Sequence, residues 1–160
     1  MNKRSHDSAS EKLAATLVVR RRIKSTPEKL FAAWTQPELL MRWWGPQGVV
    51  CSAAEIDLRV GGAYRLANRF PDGTVVWIAG VFEVIEQPHR LIYTWKLESS
   101  QEASVERVTV CFEAHGAATE VMITHERILT EAARKSYEHG WTGCLDSLVR
   151  YVEQVEIKTA

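Results

Sequence analysis

Five histidines, three cysteines and four tyrosines are the residues of this 160-residue chain best suited to move a proton near neutral pH, attack a carbon or ligate a metal. Their placement decides which of those chemistries is open. His6, His89, His115, His125 and His139 fall on the amino-terminal tail, two turns, a strand and a helix, so their spacing assembles no ligand cluster, and neither a metal nor a cofactor is expected. Cys51, Cys111 and Cys144 are an odd number, lie far apart and form no C-x-x-C pair, which argues against a disulfide framework and a zinc site and reads as three reduced core thiols. No serine or cysteine stands in a nucleophile motif, and Cys144 falls on an apolar helix face, where burial raises the thiol pKa and makes it inert. His125 is the acid/base candidate that remains, because strand alternation turns it inward, and Tyr93 or Tyr64 could pair with it. The competing reading is an interior histidine satisfied by its neighbours.

The elements that must hold these residues follow from periodicity. Leu17, Val19 and Ile23 share one parity, which makes Thr16 to Ile23 a half-buried strand and divides the Arg20-Arg21-Arg22 run between two faces as a solvated strand surface. Ser25-Thr26-Pro27 starts a short helix with Leu30, Phe31 and Trp34 on its apolar stripe. Gln36-Pro37-Glu38 starts a second, carrying Leu39, Leu40, Trp43 and Trp44 and stopped by Gly45-Pro46.

Six strands follow at period two: Val49 to Leu58, Ala63 to Phe70, Val75 to Ile85, Leu91 to Leu97, Ser104 to Ala114 and Thr119 to Glu126. Turns at Gly61-Gly62, Pro71-Asp72-Gly73, Gln87-Pro88-His89 and His115-Gly116 separate most of them, and the short connections make an antiparallel meander. The Asp57 and Arg59 pair flanking Gly61-Gly62 reads as a structural salt link. From Thr130 to Glu156 the pattern returns to three- and four-residue steps through Tyr137, Trp141, Cys144, Leu148, Tyr151 or Val152, and Val155, giving one long terminal helix. A seven-stranded sheet with one apolar face is covered by a single helix only if it curls around it, and a curled sheet leaves space beneath the helix.

Parity then nominates the lining. Lys96 must face water, which turns Leu91, Tyr93, Trp95 and Leu97 inward, and Glu120 does the same for Val121, Ile123 and His125. Tyr64 and Leu66, Phe82 and Val84, and Val108, Val110 and Phe112 join them from the sheet. Tyr137, Trp141, Cys144 and Leu148 face them from the helix. The aliphatic members read as core. The aromatic ones are the composition of a small-molecule pocket, since buried Tyr and Trp carry a polar tip. Trp43 and Trp44 either pack the second short helix over the sheet or serve as a lid.

Composition bounds the partners. Apolar residues make up 46% and charged residues 25%, and Lys plus Arg equals Asp plus Glu at 20 each, so no global field draws the chain to nucleic acid or an acidic membrane. No apolar run reaches the ~20 residues of a membrane span. The expectation is a cytoplasmic protein with a flexible polar tail over residues 1–12 and a single domain over 13–160.

Several stretches together resemble the activator of heat-shock protein 90 ATPase homologue family of the START-like, SRPBCC helix-grip superfamily. They are Arg21-Arg22-Ile23, the run from Pro27 to Thr35, Pro37-Glu38-Leu39-Leu40, Trp43-Trp44-Gly45-Pro46, Asp57 to Gly62, Gly80 to Val84, Leu91 to Trp95, Thr119 to His125, and Gly140-Trp141 with Leu145 and Leu148. The likeness covers about Thr16 to Val155. Val60, where the family often has proline, and Ser25, where it often has alanine, are mild departures. The resemblance implies an α+β helix-grip fold: a curved seven-stranded antiparallel sheet around a long carboxy-terminal helix, two short helices after strand one, and a hydrophobic cavity between sheet and helix.

The function expected first is binding of a small hydrophobic or aromatic molecule in that cavity, among Tyr64, Phe82, Tyr93, Trp95, Phe112, His125, Tyr137, Trp141 and Cys144. A co-chaperone-like module acting on a heat-shock protein is the alternative that the family name implies. An aromatase, cyclase or hydrolase using His125 is the third. A homodimer is compatible with all three, and fold alone does not choose among them.

Overall fold

A computed structural model describes residues 16–99 and 105–159, with side chains through residue 155. The expected tail over residues 1–12 and the expected strand start at Ser104 lie outside the described residues. The elements run in the order β1 (Leu17–Ile23), α1 (Pro27–Thr35), α2 (Pro37–Trp43), β2 (Val50–Ile56), β3 (Ala63–Arg69), β4 (Val75–Glu86), β5 (Arg90–Leu97), β6 (Glu106–His115), β7 (Ala118–Glu126) and α3 (Glu131–Thr159). All seven strands join one antiparallel sheet in the order β1-β7-β6-β5-β4-β3-β2. This is the helix-grip arrangement the sequence predicts, a meander closed on one side by the first strand.

Local chemistry sets the boundaries. The Thr26 hydroxyl accepts from Lys29 N at 3.2 Å with Pro27 in the first helical turn, so α1 begins where its free N–H groups find a cap. Gly45 ends the second helix's exit with φ +104°, and a Cβ there would meet Val49 O at 2.9 Å, so the chain turns back toward β2 only through glycine. The β3–β4 hairpin closes through Gly73 N to Phe70 O at 2.9 Å with Asp72 accepting from Thr74 N, and β6–β7 turns at Gly116. Arg59 and Asp57 form the expected link at 2.9 Å beside the Gly61-Gly62 turn.

Two irregularities curl the sheet, one in β2 between Cys51 and Ala53 and one in β4 between Phe82 and Val84. The second corrects the parity reading. Beyond the bulge Val84 pairs with Ile92 on the outer face, and Ile85, paired with Leu91, packs against the core in its place.

The core lies between the concave face and the three helices. Leu17, Val108, Val110, Val121, Ile123 and Leu148 have no solvent exposure, and Phe31 of α1 packs edge-on against Phe112 at 5.8 Å. Two further expectations, for Cys111 and Val155, are corrected, and a third is refined. Cys111 is half-buried on the outer face of β6 and is no core thiol, since β6 turns Val110 and Phe112 inward instead. On α3, of the two alternatives Val152 is the buried residue and Tyr151 packs partly buried beside it, while Val155 is exposed. Arg20 and Arg22 are exposed on the outer face as expected, while Arg21, on the other parity of β1 and still partly solvated, pairs with Asp146 of α3 and ties the edge strand to the helix.

Candidate functional site

Helix α3 crosses the concave face with Tyr137, Trp141, Cys144 and Leu148 toward the sheet, and below it the aromatic residues divide into two groups. The inner group encloses a chamber of about 20 Å³, the size of a single water, walled by Trp34, Leu40, Trp44, Ile56, Tyr64, Leu66, Phe82, Tyr93 and Trp95. Its rings meet edge to face: Tyr64 with Tyr93 at 5.2 Å, Phe82 with Tyr93 at 6.0 Å. Each hydroxyl has one protein partner: Tyr64 donates to Thr94 O at 2.6 Å, and Tyr93 accepts from Trp34 Nε1 at 3.3 Å. Burial pushes both phenols above their ordinary pKa, so both remain protonated at neutral pH.

The outer group lines a cleft of about 360 Å³ that opens between α3, the strand ends of β3 to β5 and the loop after α2. Trp95, Tyr137, Trp141 and Cys144 of the expected set line it, together with Trp44, Asn68, Phe70, Val76, Ile78 and Leu97. Trp44 and Trp95, with ring centroids 6.3 Å apart, belong to both linings and form the partition between chamber and cleft. Two glycines one turn apart shape the helix side. Gly143 packs so closely on the Gly45-Pro46 loop that a Cβ would lie 2.4 Å from Pro46 Cβ, and Ser147 Oγ donates to Gly45 O at 2.8 Å in the next turn. Gly140 lines the cleft, and a Cβ there would meet nothing within 4 Å.

His125 lies behind this wall with no exposed surface. Its Nδ1 accepts from Trp141 Nε1 at 3.0 Å, which fixes the ring's proton on Nε2, and Nε2 donates to Glu106 Oε1 at 2.8 Å. Tyr137 covers the imidazole at 4.3 Å between ring centroids, and burial together with the Glu106 carboxylate holds its hydroxyl well above the usual phenol range. Both ring nitrogens are therefore engaged by protein partners. Neither is presented to the cleft, and the geometry matches a satisfied interior histidine. Burial pushes the Cys144 thiol up to about 12. Phe112 is drawn away from the cavity by Phe31 and Trp34. Trp43 donates to Ala33 O at 3.0 Å and lies tilted against Trp34 at 4.8 Å, so it packs α2 onto α1, whereas its neighbour Trp44 closes the cleft floor. Among the described residues no three His, Cys, Asp or Glu side chains come together as a metal site, and no helix is long and apolar enough to cross a membrane.

Asn68 and Phe70 were not nominated from sequence, although they continue the inward parity of Tyr64 and Leu66 along β3. Gly140 was marked in the sequence only as part of the resemblance, and its place beside open space in the cleft shows only in the structure.

The model of the Activator of Hsp90 ATPase homolog 1-like protein family matches residues 24–153. The chain belongs to that family. Its tryptophan-rich α2, glycine turn and most of the terminal helix fall inside the match. Among solved structures, a protein from Chromobacterium violaceum is 26% identical with a TM-score of 0.80, over 87% of this chain and 97% of that one. An AHSA1 protein from Silicibacter pomeroyi is 23% identical with a TM-score of 0.78, over 88% and 99%. An AHSA1-like protein from Aeromonas hydrophila is 24% identical with a TM-score of 0.71, over 88% and 94%. The last two likenesses are of fold alone. A search of curated proteins finds no match to this sequence. In this AHSA1-like chain the helix-grip fold, a type that commonly binds hydrophobic ligands, is thus established, and the ligand is a separate matter.

Proposed function

We propose that this AHSA1-like protein binds a small hydrophobic or aromatic molecule in the cleft between the sheet and α3. The observation that carries the reading is the cleft itself, about 360 Å³ walled by Trp44, Phe70, Trp95, Tyr137 and Trp141, within the size range of small-molecule sites. Gly140 supports it. A glycine inside a helix costs roughly 1 kcal/mol relative to alanine, and here no neighbouring atom requires its absence of a side chain. The space it leaves is part of the cleft.

The test is saturable binding of the uncharged probe N-phenyl-1-naphthylamine, followed by its fluorescence. One site per chain is expected, lost in Gly140→Leu, whose Cβ enters open space and whose remaining side chain takes up room in the cleft, and kept in Glu120→Ala on the outer face of β7. Binding that Gly140→Leu leaves intact, or no saturable binding, overturns the proposal. The co-chaperone reading rests on the family's description, and retention of a heat-shock ATPase by Gly140→Leu protein that no longer takes the probe would favour it. The enzyme reading requires His125 to give up Trp141 or Glu106, and the cleft reading does not.

A further inference from the structure

The lining of the cleft carries more than apolar character. Neither Lys nor Arg, Asp nor Glu is among its residues, and His139 and Ser136 stand exposed at its rim. Two buried side-chain polar atoms among the described residues lack any hydrogen-bond partner, Nε1 of Trp44 and Oδ1 of Asn68, and both belong to residues lining this one cleft. Nε1 of Trp95 has the Tyr137 hydroxyl as its neighbour. A buried donor or acceptor left unpaired is costly, and folded proteins pair nearly all of them.

Resting on the cleft as the binding site, we infer that its ligand is an uncharged aromatic molecule bearing a hydroxyl group, a phenol or an aromatic alcohol. An ionised carboxylate or amine placed there would be desolvated with no opposite charge on the walls, which is strongly unfavourable. A hydroxyl accepts a hydrogen bond and donates one, the complement of one indole N–H and one amide oxygen. Both atoms are covered in the unliganded structure, so the ligand oxygen reaches them only as the wall adjusts around it. The rings of the ligand then lie against Trp141 and Tyr137.

Equilibrium dialysis at neutral pH with 2-naphthol, naphthalene and 2-naphthoate, which share one ring system, separates the terms. The expected order is 2-naphthol tightest, roughly five- to tenfold ahead of naphthalene, as one or two net hydrogen bonds allow, with 2-naphthoate weakest. In Asn68→Leu and in Trp44→Phe the advantage of 2-naphthol over naphthalene falls below about twofold, while naphthalene itself still binds. Because the readout is a ratio within each variant, a modest loss of stability does not mimic it. Naphthoate binding as well as naphthol, or a naphthol advantage that survives both substitutions, overturns the inference. Naphthalene and naphthol binding equally would sink it while leaving the apolar cleft standing as the site. Failure of all three to bind would remove both.

Discussion

At Trp141 one side chain does two jobs that sequence periodicity cannot separate. It fills the space under α3, at 3% exposure, and its N–H supplies the partner of His125 Nδ1. Trp141→Ala is expected to lower stability by about 3–5 kcal/mol, the usual range for emptying a large buried aromatic site. Trp141→Phe keeps most of the ring but leaves the imidazole nitrogen unpaired, and a loss of about 1–3 kcal/mol is expected from chemical denaturation. Equal stability of Trp141→Phe and the parent protein would show that the Trp141–His125 bond is worth nothing net. The thiols differ by environment in the same way. Burial pushes the Cys144 thiol up to about 12 and raises those of Cys51 and Cys111 as well, but Cys111 alone of the three is half-buried on the outer face and within reach of a reagent. One fast-reacting thiol per native chain is therefore expected with a maleimide, absent in Cys111→Ser, with the other two labelled only on unfolding. Rapid native labelling of Cys144 would mean that α3 opens readily.

Helix α3 gives the clearest prediction among the elements, because its two glycines are equivalent in propensity and opposite in surroundings. Gly140→Ala adds a methyl into open space and removes the backbone freedom of glycine, so it should stabilise the fold by about 1 kcal/mol. Gly143→Ala places its methyl 2.4 Å from Pro46 Cβ and must push the Gly45-Pro46 loop away from the helix. It should destabilise, and more in thermal midpoint than Gly140→Ala gains. A matching rise for both variants would show that the loop is free to move. The bulge in β4 is the other element-level lesson. It exchanges Val84 for Ile85 on the inner face, an event invisible to period-two counting because a bulge adds one residue without changing the residue types around it.

Across the whole molecule, several acids are held neutral by burial in the same core. Desolvation raises the phenols of Tyr64, Tyr93 and Tyr137 above 10.0 and the thiol of Cys144 from 9.0 to about 12. Each prefers its protonated form in the folded state, so the unfolded chain gives up the proton first as pH rises. Their contribution is intact below the unfolded values and is lost progressively above them. The denaturation midpoint should thus hold steady near neutrality and fall above about pH 9, with a shallower fall in Tyr93→Phe and in Cys144→Ala. An unchanged alkaline slope in both variants would place the loss elsewhere.

The order of elements, the turns, the inward set of β5, β6 and β7, and the family were legible because each depends on local periodicity, capping and glycine placement, which reside in neighbouring residues. His125 was legible as inward and ambiguous as to role, since a partner 16 positions away, Trp141, decides which of its nitrogens is free. The chamber and the cleft were not separable in sequence. Trp44 and Trp95 lie 51 positions apart, and their meeting as a partition depends on the curl that two bulges impose and on the Gly143 contact that sets the height of α3 above the sheet. Volume is a property of how faces approach one another, so only the tertiary structure could decide which aromatic residues fill the core and which border open space.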